Sequence, residues 1–386
     1  NFLLVPSIMV AQQSNGEWGS IAGGKQATQS FITGNPLRAL SNKNWSKSKT
    51  EETMYDLGFD IKPVKGLVIS GQGVFRGQEY KGKSYTALQD EVKTFETGTP
   101  IGGTGTYTNS MSMNWSSVTR MLYTGTIKYD WSNSIHNITA LAGTSYEHYK
   151  YEALSAGRKN FPSDALEDLN GGSNAGKDLS NGGGMTEYKI LSYFGRINYS
   201  LMDRYLLEAN IRADASSRFY KDNRWGYFPS FSAGWRISQE EFMKNISWLS
   251  QLKIRVSYGV TGNQSIDPYS TFSMYGSNSN LYYADGSGNA QTAFTVTNLS
   301  NNSLKWEKTA SWNAGLDFGL FNSRLSGTLD VYQKKTTDLL ISRTLPGSAG
   351  FASTYYNQGA MKNNGVELSL NAQIIDKKDW KWSVSG

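Results

Sequence analysis

The sequence contains no cysteine, which removes disulfide scaffolds, thiolate metal sites and thiol nucleophiles from consideration. Histidine is nearly absent as well. His136 and His148 are the only two, and no carboxylate cluster accompanies them in sequence, so no transition-metal site is expected. No stretch reaches the roughly 18 consecutive apolar residues of a spanning helix, which excludes a helical membrane protein. The opening Asn1-Phe2-Leu3-Leu4-Val5 has no basic region before it and is broken by Pro6, so it is not read as a signal peptide. The net charge of +6 is carried by Lys and Arg scattered singly along the chain, without the clustered basic footprint of a nucleic-acid partner.

What the chain does have is 40 Gly, 23 Tyr, 16 Phe and 11 Trp against only 8 Pro. Its 386 residues exceed one ordinary soluble domain of roughly 100–200 residues but fit a single large β-barrel. The dominant pattern is period-two alternation, which puts apolar side chains on one face of a strand and polar ones on the other. Tyr205, Leu207, Ala209, Ile211 and Ala213 alternate with Leu206, Glu208, Asn210, Arg212 and Asp214. The same test succeeds through 252–261, 310–319 and 366–374, and through 53–61, 67–76, 121–131, 191–201 and 325–332. Residues 135–148 alternate poorly and are assigned a strand by context. About eleven strands are expected, with a twelfth beginning at Trp380.

The connections separate a soluble sandwich from a membrane barrel, because outer-membrane barrels have short turns on one side and long loops on the other. Short joins fall at 62–65, 132–134, 202–204, 322–323 and 376–379. Long segments lie between them at about 78–118, 149–186, 262–308 and 336–363, with a shorter one at 215–226. Ser238-Gln239-Glu240-Glu241 has capping-box spacing ahead of Phe242 and Met243, which predicts a short helix on the tight-turn side. Tyr129, Trp131, Tyr199, Tyr205 and Phe318 stand near turn ends on the apolar face, as an interfacial girdle requires. The expected fold is all-β: a transmembrane antiparallel β-barrel with short periplasmic turns and long extracellular loops.

Several stretches then resemble a known family. They include Ser192-Tyr193-Phe194-Gly195-Arg196-Ile197-Asn198-Tyr199, Arg204-Tyr205-Leu206-Leu207 and the run from Arg224-Trp225-Gly226-Tyr227-Phe228-Pro229 to Gly234-Trp235-Arg236. Ser257-Tyr258-Gly259-Val260-Thr261-Gly262-Asn263-Gln264, Leu304-Lys305-Trp306-Glu307, Phe161-Pro162-Ser163-Asp164 and Gly359-Ala360-Met361-Lys362-Asn363-Asn364-Gly365 join them. In this order they resemble the barrel of SusC/RagA-type TonB-dependent transporters, from about residues 35–37 to the end. The resemblance implies a plugged barrel of about twenty-two strands in the outer membrane of a Gram-negative bacterium. It further implies nutrient import with a SusD-like surface lipoprotein as lid and with the TonB complex as the energised partner. The solutes would be oligosaccharides or peptides. Nothing matches that family's plug, TonB-contacting segment or signal peptide, so residues 1–386 read as a partial barrel domain.

In such a barrel the apolar faces meet outer-membrane lipid and the polar faces line a lumen. Lys128, Arg196, Glu208, Arg212 and Arg255 are the expected lumen residues, meeting water, a plug or a passing solute. Recognition concentrates on loops held by a rigid scaffold, which makes Trp115, Tyr282, Tyr283, Trp306, Tyr355 and Tyr356 the candidate binding residues. Their rings can stack on sugars or cover peptide side chains, and loop aromatics also pack loops together. No catalytic residue, metal or cofactor is assigned. Gly102-Gly103-Thr104-Gly105 and Gly182-Gly183-Gly184 lack the Lys-Ser/Thr ending of a phosphate loop and are read as flexible. Asp285, Ser287 and Asn289, like Asp168 and Asn170, lack the closing Glu of a calcium loop. The competing readings are an importer of metal chelates or cofactors, which a neighbouring lipoprotein gene would disfavour, and a surface adhesin or carbohydrate-binding sandwich, which would be soluble without detergent.

Overall fold

The computed structural model describes residues 12, 16–20, 38, 40, 41, 43–91, 93, 94, 106–284, 286, 287 and 290–386. The apolar opening at 1–5, residues 35–37, the glycine-rich 102–105, and Asp285 and Asn289 lie outside the described residues. Of Tyr282 only the backbone is described.

Among the described residues, eighteen strands follow in chain order: β1 (Gly19–Ser20), β2 (Trp45–Ile61), β3 (Leu67–Thr86), β4 (Lys93–Thr94), β5 (Ser110–Ser132), β6 (His136–Lys159), β7 (Leu179–Leu201), β8 (Tyr205–Ser216) and β9 (Trp225–Arg236). They continue as β10 (Leu249–Asn263), β11 (Tyr275–Ala284), β12 (Ala290–Val296), β13 (Glu307–Leu320), β14 (Leu325–Thr337), β15 (Leu340–Thr344), β16 (Ser353–Asn357), β17 (Ala360–Asp376) and β18 (Lys381–Ser385). Twelve of them make one sheet in the order β18-β17-β14-β13-β10-β9-β8-β7-β6-β5-β3-β2. Each strand lies beside the next sheet strand in the chain, as in an up-and-down meander. The sheet is open, with β2 and β18 as its edges. The pairs β11–β12 and β15–β16 are separate hairpins inside the long connections.

The strands run further than their alternation. β5, β6 and β7 have 23, 24 and 23 residues, about twice the 9–11 that cross a bilayer. The expected loops 78–118 and 149–186 are therefore shorter, because 78–86, 110–118, 149–159 and 179–186 are strand. The run Gly182-Gly183-Gly184 is strand too, inside β7, and not loop. Alternation is demanded only where one face meets lipid and the other water. Where both faces are wet, backbone pairing alone sustains a strand and the sequence carries no period. Residues 136–148, assigned by context, are in β6.

The tight turns close as hairpins with left-handed residues at Met202 and Asp203 (φ 53° and 55°) and at Phe321, Asn322 and Ser323, the geometry that matches strand twist. Neighbouring turns are laced by backbone hydrogen bonds. The Met202 amide donates to the Ile135 carbonyl (2.6 Å), and Phe321 to Trp248 (2.7 Å). The helix expected at 238–243 is instead two three-residue 3-10 turns, Ile237–Gln239 and Glu241–Met243. No capping box forms: neither turn has a side-chain cap, and the Glu241 carboxylate pairs with Lys244 and Arg204 instead.

By contact the chain divides into two units. One comprises residues 1–53, 76–119 and 150–186, and the other 54–75, 120–149 and 187–386. In the first, Tyr85, Ala87, Met111 and Phe161 form a buried core with Trp45 and Leu169 against it. The Asn109 side chain clasps both backbone groups of Phe161, at 2.9 and 2.7 Å. Burial and the adjacent Asp164 carboxylate, which accepts from the Tyr85 hydroxyl at 2.8 Å, push that phenol up to about 12. In the second unit, Phe219, Phe228, Ile266, Leu304 and Trp306 form the core, with Val260, Leu340 and Tyr355 packed on it.

Candidate functional site

Cross-strand register in the second unit sorts side chains into two faces without ambiguity. Tyr205 pairs with Trp235, Trp235 with Ile254, Ile254 with Leu316, Leu316 with Leu329 and Leu329 with Leu368. One residue along, Leu206, Gly234, Arg255, Gly315, Asp330 and Glu367 form the next row. Because directly opposed residues point the same way and successive ones alternate, the first row belongs to an apolar face and the second to a polar one. The apolar face is bare: Leu207, Ile211, Phe231, Trp312 and Leu368 are each more than half exposed. An uninterrupted wall of exposed aliphatic and aromatic side chains is what a lipid contact needs and what water penalises.

The polar face is tied by charge. Arg255 donates to Asp317 (3.0 Å), to Asp330 (2.7 Å) and to Asn313 (3.2 Å), and Lys253 stands 3.7 Å from Asp317. Gly315 makes this convergence possible, since a Cβ there would sit 2.5 Å from the Arg255 guanidinium carbon. Glu208 accepts from Asn210 (2.7 Å), and Arg212 grips Asp214 through both carboxylate oxygens (2.8 and 2.9 Å) while reaching Ser192. Lys128 pairs with Asp130 at 2.8 Å. Arg196 is exposed. Alternation located these cations, but it did not show that Asp317, Asp330 and Asn313 serve one arginine; their register positions supply that.

The loop aromatics fall into different settings. Trp306 is 5% exposed, packed by Phe219 and Phe228, and donates its indole N–H to the Arg224 carbonyl at 2.7 Å. Tyr355 packs on the same core, and its carbonyl accepts from Asn301 at 2.8 Å. Tyr356 is half-buried within β16. Tyr283 is 59% exposed on β11, in a hairpin where Tyr275 and Phe294 are more exposed still. In the first unit, Trp115 is partly buried and donates to Glu79. That bond, with Lys81 beside it, holds the Glu79 carboxyl below its usual range.

The connections of the second unit therefore form a packed body. Asn357 donates to the Lys305 and Asp338 carbonyls and accepts from the Lys305 amide, all at 2.8 Å. Thr354 donates to the Leu299 carbonyl (2.8 Å) and Asn223 to that of Asn302 (3.0 Å). From this body the β11–β12 hairpin projects, clasped at its base by Asn298, whose side chain bonds Met274 and Phe272 at 2.8 Å. Sequence reasoning missed Phe219, Phe228 and Leu304 as core, because a loop core has no period to betray it.

His136 lies 2.8 Å from the Tyr199 hydroxyl and stacks on its ring, while His148 lies 2.9 Å from Glu187. Asp168 accepts from the Asn170 amide as an ordinary turn cap. Among the described residues, no three His, Asp or Glu side chains converge as metal ligands.

Residues 11–386 match the family described as TonB dependent receptor-like, beta-barrel. TonB-dependent receptor SusC of Bacteroides thetaiotaomicron is 46% identical over 202 residues, covering 52% of this chain and 20% of that protein. TonB-dependent receptor P3 of Formosa agariphila is 33% identical over 299 residues, covering 76% of this chain and 28% of that protein. Among solved structures, the RagAB peptide transporter superposes with a TM-score of 0.82 at 29% identity, covering 96% of this chain and 39% of that one. The chain thus spans well under half the length of the relatives it matches.

Proposed function

The chain belongs to the TonB dependent receptor-like β-barrel family, and on that premise we propose that it supplies wall and loops to an outer-membrane importer of oligosaccharides or peptides in a Gram-negative bacterium. The importer works with a SusD-like surface lipoprotein as lid and with the TonB complex, and it transports without catalysis. The observation that carries this reading is the two-faced sheet. Its bare apolar face contacts lipid, and its charge-laced face, with Lys128, Arg196, Glu208, Arg212 and Arg255, lines the lumen. Ion pairs such as Lys128–Asp130, Arg212–Asp214 and Arg255 with Asp317 and Asp330 suit a wall along which solute and plug move, since they hold those charges in place.

Recognition is assigned to the connection side. Tyr283 offers an exposed ring for stacking on a sugar or covering a peptide side chain; Tyr282, Tyr356 and Trp115 are kept as further contact candidates. Trp306 and Tyr355 act one step removed, by fixing the loop body that presents the others. The test is deletion of the β11–β12 hairpin in the transporter that carries this chain. Uptake is expected to fall while heat-modifiable barrel is retained, because loop changes are tolerated better than strand changes. Unchanged uptake of every oligosaccharide and peptide the intact transporter carries would contradict the assignment.

A further inference from the structure

The connection from Ile237 to Trp248 is the longest of the tight-turn side, and one of its carboxylates is in an unusual place. Glu240 is 8% exposed, although it sits in a surface turn. Its oxygens accept from the Tyr205 hydroxyl (2.7 Å), the Trp235 indole N–H (3.0 Å) and the Arg204 guanidinium (3.0 Å). Tyr205 and Trp235 are register partners on the apolar face, stacked with ring centroids 6.3 Å apart. A carboxylate bonded to the polar tips of two rings of that face lies at the end of the sheet on its apolar side.

The turn then carries Phe242, 65% exposed, and Trp248. Neighbouring turns repeat the feature: Val64, Ile135, Met202, Phe321 and Trp380 are all exposed large apolar residues at the same end of the sheet. Lys244 pairs with Glu241 at 2.7 Å and can extend to phosphate height on its aliphatic stem. Interfacial segments combine these parts: apolar side chains sunk to the headgroup boundary, aromatic groups with polar tips at that level, and charge either paired or snorkelling.

We propose that the turn Ile237–Trp248 is an interfacial anchor that lies in the headgroup layer of the inner leaflet, with Phe242 inserted among phospholipid chains and Glu240 as the clasp that holds it there. This rests on the reading of the apolar face as a lipid contact, and it goes beyond that reading by extending the contact below the strands. The occupant is phospholipid because the anchor is continuous with the lipid-facing wall. The clasp also removes the one isolated carboxylate that would oppose insertion, by surrounding it with three donors.

The experiment uses the transporter that carries this chain, in phospholipid nanodiscs, with single spin labels at Phe242→Cys, Ile211→Cys and Ser277→Cys. Collision with oxygen, which concentrates in the bilayer, is compared with collision with a nickel chelate, which stays in water. The label at 242 is expected to resemble that at 211, with nickel-chelate contact several-fold below that at 277. Adding Glu240→Gln should raise nickel-chelate contact at 242 several-fold, with heat-modifiable folded protein still present. A label at 242 as water-exposed as that at 277, with 211 in lipid, overturns the anchor alone. A water-exposed label at 211 overturns the wall reading itself. Low contact of the 242 label with oxygen as well as with the nickel chelate would assign the turn to protein packing and also overturn the anchor.

Discussion

The wall and the loop body of the larger unit are both rich in aromatic residues, and they use them in opposite ways. On the wall, Tyr193, Phe231 and Trp312 are more than half exposed on one face. In the loop body, Phe219, Phe228 and Trp306 are buried against one another and bring three connections into a common core. Water drives the second arrangement and would oppose the first. The comparison teaches that the wall is completed by an apolar medium, whereas the loop body completes itself. A mutation should consequently damage the two regions through different terms: the transfer cost of charge into lipid for the wall, and cavity formation for the loops.

The largest effect is expected from Trp306→Ala. Truncating a buried Trp costs about 3–5 kcal/mol, and here it also removes one of the two donors to the Arg224 carbonyl, leaving the Ser216 amide. Proteolysis should cut within residues 264–306, while the heat-modifiable barrel persists; simultaneous loss of barrel and loops would mean that the two regions are not independent. Next is the wall. Leu207→Arg or Leu368→Arg places a cation on the lipid face at about 2–4 kcal/mol near the midplane, whereas Glu208→Arg stays on the polar face and should be milder. Equal folded yields from the two kinds of substitution would erase the distinction between faces.

The smallest effect concerns the Glu240 clasp. Hydrogen bonds from Trp235 and Tyr205, then the charge of Arg204, hold its carboxyl below the usual range. A depressed carboxyl contributes stability that is complete above its unfolded value and disappears as pH falls through the folded one. The turn should be fully clasped at neutral pH and loosen on acidification below the ordinary Glu range, seen as faster amide exchange across 237–248. Glu240→Gln should flatten that acid dependence, and an unaltered pH profile in that variant would assign it elsewhere, Glu241 being the nearest other carboxyl.

The wall was legible because lipid on one side and water on the other impose a period of two. Leu207, Leu316 and Leu368 share one face in the register, opposite Glu208, Asp317 and Glu367. Outside the alternating segments that constraint lapses, which is why Gly182-Gly183-Gly184 reads as loop and folds as strand. The loop core was not legible, even where the family resemblance covered its residues. Leu304, Trp306 and Phe228 all sit in motifs that resembled the family, and each contributes to the core. The helix at 238–243 was misread because a Ser-x-x-Glu spacing signals a helix start only when no stronger partners compete: here Glu241 pairs with Lys244 and Arg204, and Glu240 is held by Trp235, Tyr205 and Arg204.

One end of this sheet, with its packed connections, faces the cell exterior, while the end with tight turns faces the periplasm. Single cysteines at Ser277, on the projecting hairpin, and at Asn133, in a tight turn, test it in intact cells with a membrane-impermeant thiol reagent. Both side chains are exposed, so reagent access decides the result. The account predicts labelling at residue 277 and none at 133 until the outer membrane is breached. Labelling at 133 with none at 277 would contradict it and move the proposed recognition surface to the periplasmic side.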